Sequence, residues 1–528
     1  MEEKYVFTAR DYSVEKPISQ SKKSRKRKVK RKSGGCFIVA LLFFSLTFAA
    51  ICATFIYLDS NGLIPENLFS KILIVAGGFI LLELFLMILS RKSRIVAALS
   101  VLLCMAVLGS ATFGVYALYQ VYQSVEEVEP PKTYYAFVDV YAKQGSRFVP
   151  VEVAAEEEED EGPQIIPGDS LDGCSVGTML LNLDRGYTSQ AIRDYRKQHD
   201  INVIAYDDFG SMIDAFRDGE IDAVIYNKLT MKLFLGDDSD FYDWATCIES
   251  LGVEKEHTIA VKKADVVTEP FAVYICGIDT LDNDEFWDLA RCDTNLIACV
   301  NPIRKKILVI STPRDYYVPL WGESYAMDKL THAGIYGVES SVETLEALYD
   351  VKLNYYVRTN VYSLVRIVDA LGGITVHSDY EFYCANGIGG YQQFYVGDND
   401  IDGSGALCFV RERSSFDEGD KQRGLHQMEV IKAIVRKACS PAIVAHFNDV
   451  LGVVTNSVET NIGKEEINAI IKMQLSDMAS WTFESYAVDG YGIHAGSYAL
   501  GGTEVYMMMP YYDTVNEARE KISEFMNE

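Results

Sequence analysis

The chain has 528 residues, too many for one ordinary domain, with 49% apolar residues and a formal net charge of −26. Residues 1–120 carry about +9 and the remainder about −35, a split that suits two different surroundings. The acidic remainder argues against nucleic-acid binding, which needs a basic surface facing the phosphates; an anionic ligand would require a local cluster of Arg or Lys.

Residues 22–32 read KKSRKRKVKRK and stop just before an apolar stretch. That placement points to a cytoplasmic anchor and away from a nuclear tag. Residues 36–58 carry no charge and are long enough to cross a bilayer. Two further spans are expected near 69–90 and 95–119, with Arg91, Lys92 and Arg94 between them. The first loop holds Asp59 and Glu66 but no Lys or Arg, so the positive-inside rule puts the N-terminus inside and everything after about 120 outside. No small-residue cleavage pattern follows the basic run, so the segment reads as an anchor. Glu83 lies inside the second span, either as a functional carboxylate or simply facing another helix.

Eleven cysteines show no CxxC and no Cys–His pair at metal-ligand spacing. Cys174 with Cys247 is one conceivable disulfide; buried free thiols are the other reading.

Residues 121–163 read as acidic and irregular, ending in the run Glu156–Glu161, a solvated loop. From Cys174 the pattern alternates. CSVGTM is a short strand, 188–199 a helix opened by Thr188 or Ser189, INVIAYDD a strand, SMIDAFRDGE a helix with a Gly stop, and IDAVIYN a buried strand. Strands spaced by such helices imply a parallel α/β layer. Residues 170–235, through Val176-Gly177-Thr178 and DGEIDAVIYN, resemble one lobe of a type II periplasmic solute-binding protein. Ligand sensing and a ligand-free spacer are both open for it.

A second α/β region begins near Pro270. FAVYICGIDT, ARCDTNLIACVNP and KKILVISTPRDYYVPL read as strands, 341–350 and 361–371 as helices, ITVHS as a strand, GALCFVRERSSF as a strand, and 421–438 as a helix. Arg291 and Asp293 at i, i+2 share a strand face, as do Arg411 and Arg413. Arg314 follows a proline at a strand end. Asp420, Arg423 and Gln427, at i, i+3, i+7, share a helix face. Five arginines so placed suggest a polyanionic ligand, because guanidinium forks match phosphate oxygens. Asp279 and Asp293 offer oxygen ligands only and suit Mg²⁺ bridging such a ligand; the other reading pairs them with the arginines alone. His257, His332 and His377 form no triad with a nucleophile, and His426 reads as a satisfied cleft residue.

From about 270 to 525 the chain resembles a LytR-CpsA-Psr domain. The resemblance runs through GIDT, RCDTN, STPRDYYV, KLTHAGIYG, VDALGGI and RERSSFDEGDKQRGLHQ. The solute-binding-like lobe and the three spans resemble a Gram-positive subgroup of that family. The resemblance implies a Mg²⁺-dependent phosphotransferase that moves a glycopolymer from a polyprenyl-pyrophosphate carrier in the membrane lipid to a peptidoglycan hydroxyl. It implies that Asp279 and Asp293 hold Mg²⁺. Arg291, Arg314, Arg411, Arg413 and Arg423 would bind the pyrophosphate, with Asp420 and Gln427 completing the site. Either Asp279 or Asp420 would serve as the base. Cys292, Thr294, Ser414 and His426 depart from the family pattern. A non-catalytic polyprenyl-phosphate sensor is the alternative, and the polymer, whether teichoic acid or capsule, is open.

The expected architecture is α/β, with a basic tail (1–35), three transmembrane helices (36–122), a small solute-binding-like α/β lobe (123–268) and a C-terminal α/β/α domain with a mixed central sheet (269–528).

Overall fold

The structure, a computed structural model, describes residues 34–60, 66–126, 134–153, 164–179, 186–235, 239–255, 262–278, 290–322, 325–385, 390–440, 443, 450, 452–453 and 458–528. The basic run at 22–32, the acidic run at 156–161, His257 and Asp279 lie outside these residues.

Three apolar helices come first: α1 (Gly34–Ser60), α2 (Glu66–Ser90) and α3 (Arg94–Glu126). Each contains a stretch long and apolar enough to cross a membrane, at 35–58, 69–90 and 94–116. Their large side chains face outward, as lipid-facing helices require; Leu42, Ile74 and Ile95 are among those exposed. Glu83 is buried within this group and accepts a hydrogen bond from Ser100 Oγ at 2.8 Å, so it faces a neighbouring helix.

The next layer is built from β1 (Tyr134–Lys143), the short pair β2 (Val151–Val153) and β3 (Gln164–Ile166), β4 (Ser175–Met179), α4 (Tyr187–Tyr195), β5 (Asn202–Tyr206), α5 (Phe209–Asp218), β6 (Ala223–Asn227), α6 (Lys228–Leu235), α7 (Phe241–Trp244) and β7 (Ala245–Lys255). Asp208 caps α5 by accepting from Ser211 N, and Gly219 closes it with a left-handed φ of 83°. The sheet order is β5-β4-β6-β1-β7. Strands β4, β5 and β6 are parallel, as their helical crossovers demand. Two expectations fail here. Strand β1 crosses the stretch read as irregular and runs antiparallel to both β6 and β7, so the layer is mixed. Helix α4 starts after Gly186 with no side-chain cap, so neither Thr188 nor Ser189 opens it.

The larger layer contains β8 (Phe271–Ile278), β9 (Cys292–Asn301), β10 (Lys306–Thr312), the pair β11 (Tyr317–Leu320) and β12 (Ala326–Lys329), α8 (Leu330–Ala333), α9 (Val338–Tyr349) and β13 (Tyr355–Asn360). Helix α10 (Val361–Ala370) follows, then β14 (Ile374–Ser378), β15 (Phe382–Ala385), β16 (Tyr391–Phe394), β17 (Gly397–Ile401), α11 (Gly403–Arg411) and α12 (Gly419–Ala438). The chain ends with β18 (Val458–Thr460), α13 (Lys464–Asp477), β19 (Thr482–Ala487), the hairpin β20 (Gly490–Gly496) and β21 (Glu504–Pro510), and α14 (Tyr512–Asn527).

Its six-stranded sheet, ordered β18-β13-β8-β9-β10-β19, is mixed: β13/β8 and β10/β19 are parallel and the other pairs antiparallel. Alternation along β9 and β10 feeds two layers. Ile297, Cys299, Leu308 and Ile310 pack beneath α9 and α14, whereas Leu296, Ala298, Ile307 and Val309 pack beneath Met428 and Ile431 of α12. An α/β/α sandwich results. Gly424 lets α12 approach closely, since a Cβ there would meet Ser311 Oγ at 2.8 Å.

Cys174 and Cys247 are free; the disulfide joins Cys276 to Cys292 across β8 and β9. Spacing could not reveal it, because the two Cα atoms come to 5.7 Å only once those strands pair.

Candidate functional site

Between the sheet and helices α10, α11 and α12 lies a cavity of about 490 Å³. The five arginines singled out from the sequence, Arg291, Arg314, Arg411, Arg413 and Arg423, all line it, with Asp293 and Gln427. Apolar side chains complete the lining: Ile275 and Leu296 from the sheet, Leu364 from α10, Leu407 and Val410 from α11, Val430 and Ile431 from α12.

Each polar group is placed by a local feature. Arg291 immediately precedes β9, and Asp293 lies two residues on. Arg314 sits just past the end of β10 after Pro313, and its carbonyl accepts from Thr331 N at 2.8 Å, which fixes the turn against α8. Asp293 Oδ2 accepts from Arg314 Nη1 at 2.6 Å, and Oδ1 accepts from Thr331 Oγ1 at 2.9 Å. Asp420 lies in the first turn of α12, where the helix dipole favours a carboxylate. Its Oδ1 pairs with Arg413 Nη1 at 3.1 Å and Arg423 Nη2 at 3.2 Å, so it orients two of the arginines. Gln427 follows one turn after Arg423 on the same helix and lines the cavity beside it.

Arg411 and Arg413 do not share a strand face. The segment GALCFVR forms α11, capped by Asp402 accepting from Gly405 N, with Arg411 in its last turn and Arg413 beyond it. Buried Glu412 accepts from Ser414 Oγ and Ser415 N, pinning the turn between the two arginines.

The electrostatics favour an anion. Burial opposes the charge of Arg314, but Asp293, Asp315 and Asp420 outweigh it and hold the guanidinium above its ordinary pKa. Arg423 is pulled below its ordinary value by burial and then by repulsion from Arg314. Among the described residues Arg291 makes no ion pair at all. Asp315, read only as part of the PRD motif, is buried and held ionised: burial would raise its pKa, but Lys329 Nζ at 2.8 Å and Arg314 bring it below the usual range.

His426 does not enter the cavity lining. Its ring stacks on Phe409 at 4.0 Å between centroids, Nδ1 donates to Phe409 O at 3.0 Å, and Nε2 is left to accept from Gln422 Nε2 at 3.0 Å. Burial pushes its pKa down to about 4, so it is a neutral, satisfied histidine. His332 is likewise buried, against Asp328 Oδ1 at 2.9 Å and Ser497 Oγ.

For a divalent cation, Asp293 is the one described carboxylate lining the cavity, and among the described residues no cluster of three or more His, Cys, Asp or Glu assembles. Both Asp293 oxygens face hydrogen-bond donors, Arg314 and Thr331. Mg²⁺ accepts one or two protein carboxylates together with phosphate oxygens and water, so Asp293 fits a ligand's role in a site completed by phosphate.

Comparison with known proteins follows the same residues. The LytR_cpsA_psr family model matches residues 245–513. The polyisoprenyl-teichoic acid–peptidoglycan teichoic acid transferase TagU of Bacillus licheniformis is 32% identical over 228 residues, 42% of this chain and 71% of that protein. The Bacillus subtilis protein of the same name is 34% identical over 210 residues, 40% of this chain and 64% of its own length. The crystal structure of B. subtilis TagU aligns with 49% of this chain and 98% of its own at 27% identity, with a TM-score of 0.38. The family match spans the sheet, the cavity and every described arginine that lines it, and the chain belongs to the LytR_cpsA_psr family.

Proposed function

We infer that the chain transfers a glycopolymer from a polyprenyl-pyrophosphate carrier to a peptidoglycan hydroxyl, making a phosphodiester link. One observation carries this reading: a single cavity joins five arginines to a largely aliphatic lining, which suits a ligand that is a polyanion with an apolar tail. The relatives' names, which join teichoic acid to peptidoglycan, agree with it.

In the reaction the acceptor oxygen attacks the phosphorus that bears the polymer. The P–O–P anhydride bond breaks and polyprenyl phosphate leaves. The acceptor proton passes to a carboxylate, for which Asp279 and Asp420 are the candidates. The arginines neutralise charge that builds on the phosphoryl and leaving oxygens, and this positioning with charge stabilisation supplies most of the catalysis in phosphoryl transfer. Mg²⁺ held by Asp293, with Asp279, would add further neutralisation of the phosphate oxygens. The three apolar helices would anchor the enzyme in the membrane that holds its donor, with the N-terminus inside and the α/β regions outside.

The reading is tested by saturation binding of polyprenyl phosphate to the full chain in detergent. Binding that disappears in Arg423→Ala supports it; no binding by the unaltered chain contradicts it.

A further inference from the structure

The hairpin of β20 and β21 supplies nothing to the cavity lining, yet it is fastened beside the arginine end. Met508 N on β21 donates to Asp315 O at 2.7 Å, one residue from Arg314. Asp489, just before β20, accepts from Lys421 Nζ at 2.7 Å, one residue from Asp420. Past the other end of β20, Ala499 N donates to Asp328 Oδ2 at 2.7 Å, three residues before Thr331, the donor to Asp293. Three separate contacts thus hold the hairpin alongside the charged groups of the site.

One face of this hairpin carries Tyr506 and His494, opposite each other in register. Their rings meet edge to face, 6.3 Å between centroids, and both residues are exposed, Tyr506 by 41%. A Cβ on Gly492 would meet Tyr506 Cε2 at 2.8 Å, so the ring leans across the glycine instead of standing off the sheet. Burial first, and then the charges of Asp315 and Asp420, hold its phenol above the ordinary pKa, so the group stays neutral and within reach of both carboxylates. The negative face of a neutral aromatic ring repels phosphate oxygens and attracts C–H groups that carry positive partial charge, such as those on the flat side of a sugar ring. Helix α12 says which sugar. In order along it, Lys421 holds the hairpin, Arg423 and Gln427 line the polar part of the cavity, and Val430 and Ile431 line the apolar part. The hairpin therefore lies beyond the arginines, at the end away from the aliphatic lining. Attacking and leaving oxygens stand roughly in line in phosphoryl transfer. With the apolar leaving group in the aliphatic part, the attacking hydroxyl arrives from the hairpin's side.

We propose that Tyr506, leaning on Gly492 and flanked by His494, is a stacking shelf for a sugar ring of the acceptor glycan, and that it brings the acceptor hydroxyl to the phosphoryl group held by the arginines. The proposal rests on the phosphotransferase reading above and assigns that reaction a binding surface outside the cavity. Tyr506 is a substrate-binding residue that moves no proton, so its effect falls on acceptor affinity and depends on the ring, not on the hydroxyl.

Tyr506→Ala removes the shelf, and Tyr506→Phe keeps the ring without the hydroxyl. Gly492→Ala displaces the ring by filling the space it leans into, on a backbone that alanine can adopt. The full chain in detergent is titrated with peptidoglycan oligosaccharides freed of stem peptides and, separately, with polyprenyl-pyrophosphate-linked teichoic acid, with melting followed in parallel. The expected result is a roughly tenfold weaker oligosaccharide affinity in Tyr506→Ala, a smaller loss in Gly492→Ala and recovery of most of the affinity in Tyr506→Phe. Donor affinity and melting temperature stay close to the parent's. Full oligosaccharide affinity in Tyr506→Ala overturns the shelf. An equal loss in Tyr506→Phe assigns the effect to the hydroxyl and overturns stacking. A loss confined to the lipid-linked donor assigns the ring to the donor's own sugars and overturns the acceptor assignment. Oligosaccharide binding needs no donor, so the two readings can fail separately: a parent chain that binds no oligosaccharide overturns the shelf alone, and one that binds oligosaccharide through Tyr506 but no lipid-linked donor upholds the shelf and overturns the phosphotransferase reading.

Discussion

Two α/β layers lie in this chain, and they treat the polar groups of their strands differently. In the layer of residues 134–255, Asp139 is buried and shared between Tyr141 Oη and Ser250 Oγ, and Asn227 accepts from Thr230 N and Oγ1. Those groups are consumed inside the fold. In the layer that starts at Phe271, the strand ends instead bring Arg291, Asp293 and Arg314 to a cavity that Arg411, Arg413 and Arg423 also line. Sheet architecture alone does not mark a site. Unmatched buried polar atoms do not separate the two layers either, since Thr178 Oγ1 and Trp244 Nε1 lack partners in the smaller one; the convergence of five arginines on one cavity is what sets the larger layer apart.

The sharpest way to break this contrast is to remove one group from each layer. Arg314→Ala is expected to lower the polymer-transfer rate by about 10²–10³-fold, the scale for losing a donor aimed at developing charge. Arg314→Lys is expected to recover little, because a point charge does not reproduce the guanidinium fork. Initial rates on labelled donor measure both.

The disulfide gives the next largest effect, and it falls on stability. Cys276 and Cys292 are 16 residues apart in sequence, so opening that loop in Cys292→Ser is expected to cost about 3 kcal/mol. Denaturant titration of the variant, and of the parent with reductant, measures it.

Acid should act on the larger layer through His426. Folded His426 takes up its proton only at about pH 4, whereas an unfolded histidine does so near pH 6.5. Between those values the unfolded chain binds more protons, so stability is complete above about pH 6.5 and declines as pH falls toward 4, by at most roughly 3 kcal/mol. The pH dependence of melting should flatten over that window in His426→Gln; an unchanged slope would remove His426 as its source.

The smallest effect belongs to the other layer. Asp139→Asn is expected to lower stability by about 1–2 kcal/mol through its weakened buried hydrogen bonds and to leave transfer kinetics unaltered. A large loss of transfer in that variant would mean that the smaller layer contributes to the site after all.

Much of the site was legible because its residues obey short periodicities. Asp420, Arg423 and Gln427 fall on one helix face at spacings any helix must honour, and Arg314 stands beside a proline where a strand has to end. Arg411 and Arg413 were placed in the cavity correctly but on the wrong element. Cys408, Phe409 and Val410 suggest a strand, yet the Asp402 cap opens a helix whose residues Gly405 to Phe409 are all buried, so no amphipathic period marks it. Strand β1 was missed because the acidic surroundings hid the aromatic and β-branched run YYAFVDVY, in which Asp139 looks like a solvent residue until Ser250 is seen beside it. The pairing of Cys276 with Cys292 depends on strand register, which local sequence does not specify.

The central claim is tested most directly by incubating the full chain with labelled polyprenyl-pyrophosphate-linked polymer and peptidoglycan, with Mg²⁺ and with EDTA. The account predicts label in the peptidoglycan with Mg²⁺, release of polyprenyl phosphate in equal amount, and loss of both in EDTA and in Arg314→Ala. Saturable donor binding with no label transferred to any acceptor would contradict it and leave a lipid-binding sensor in its place.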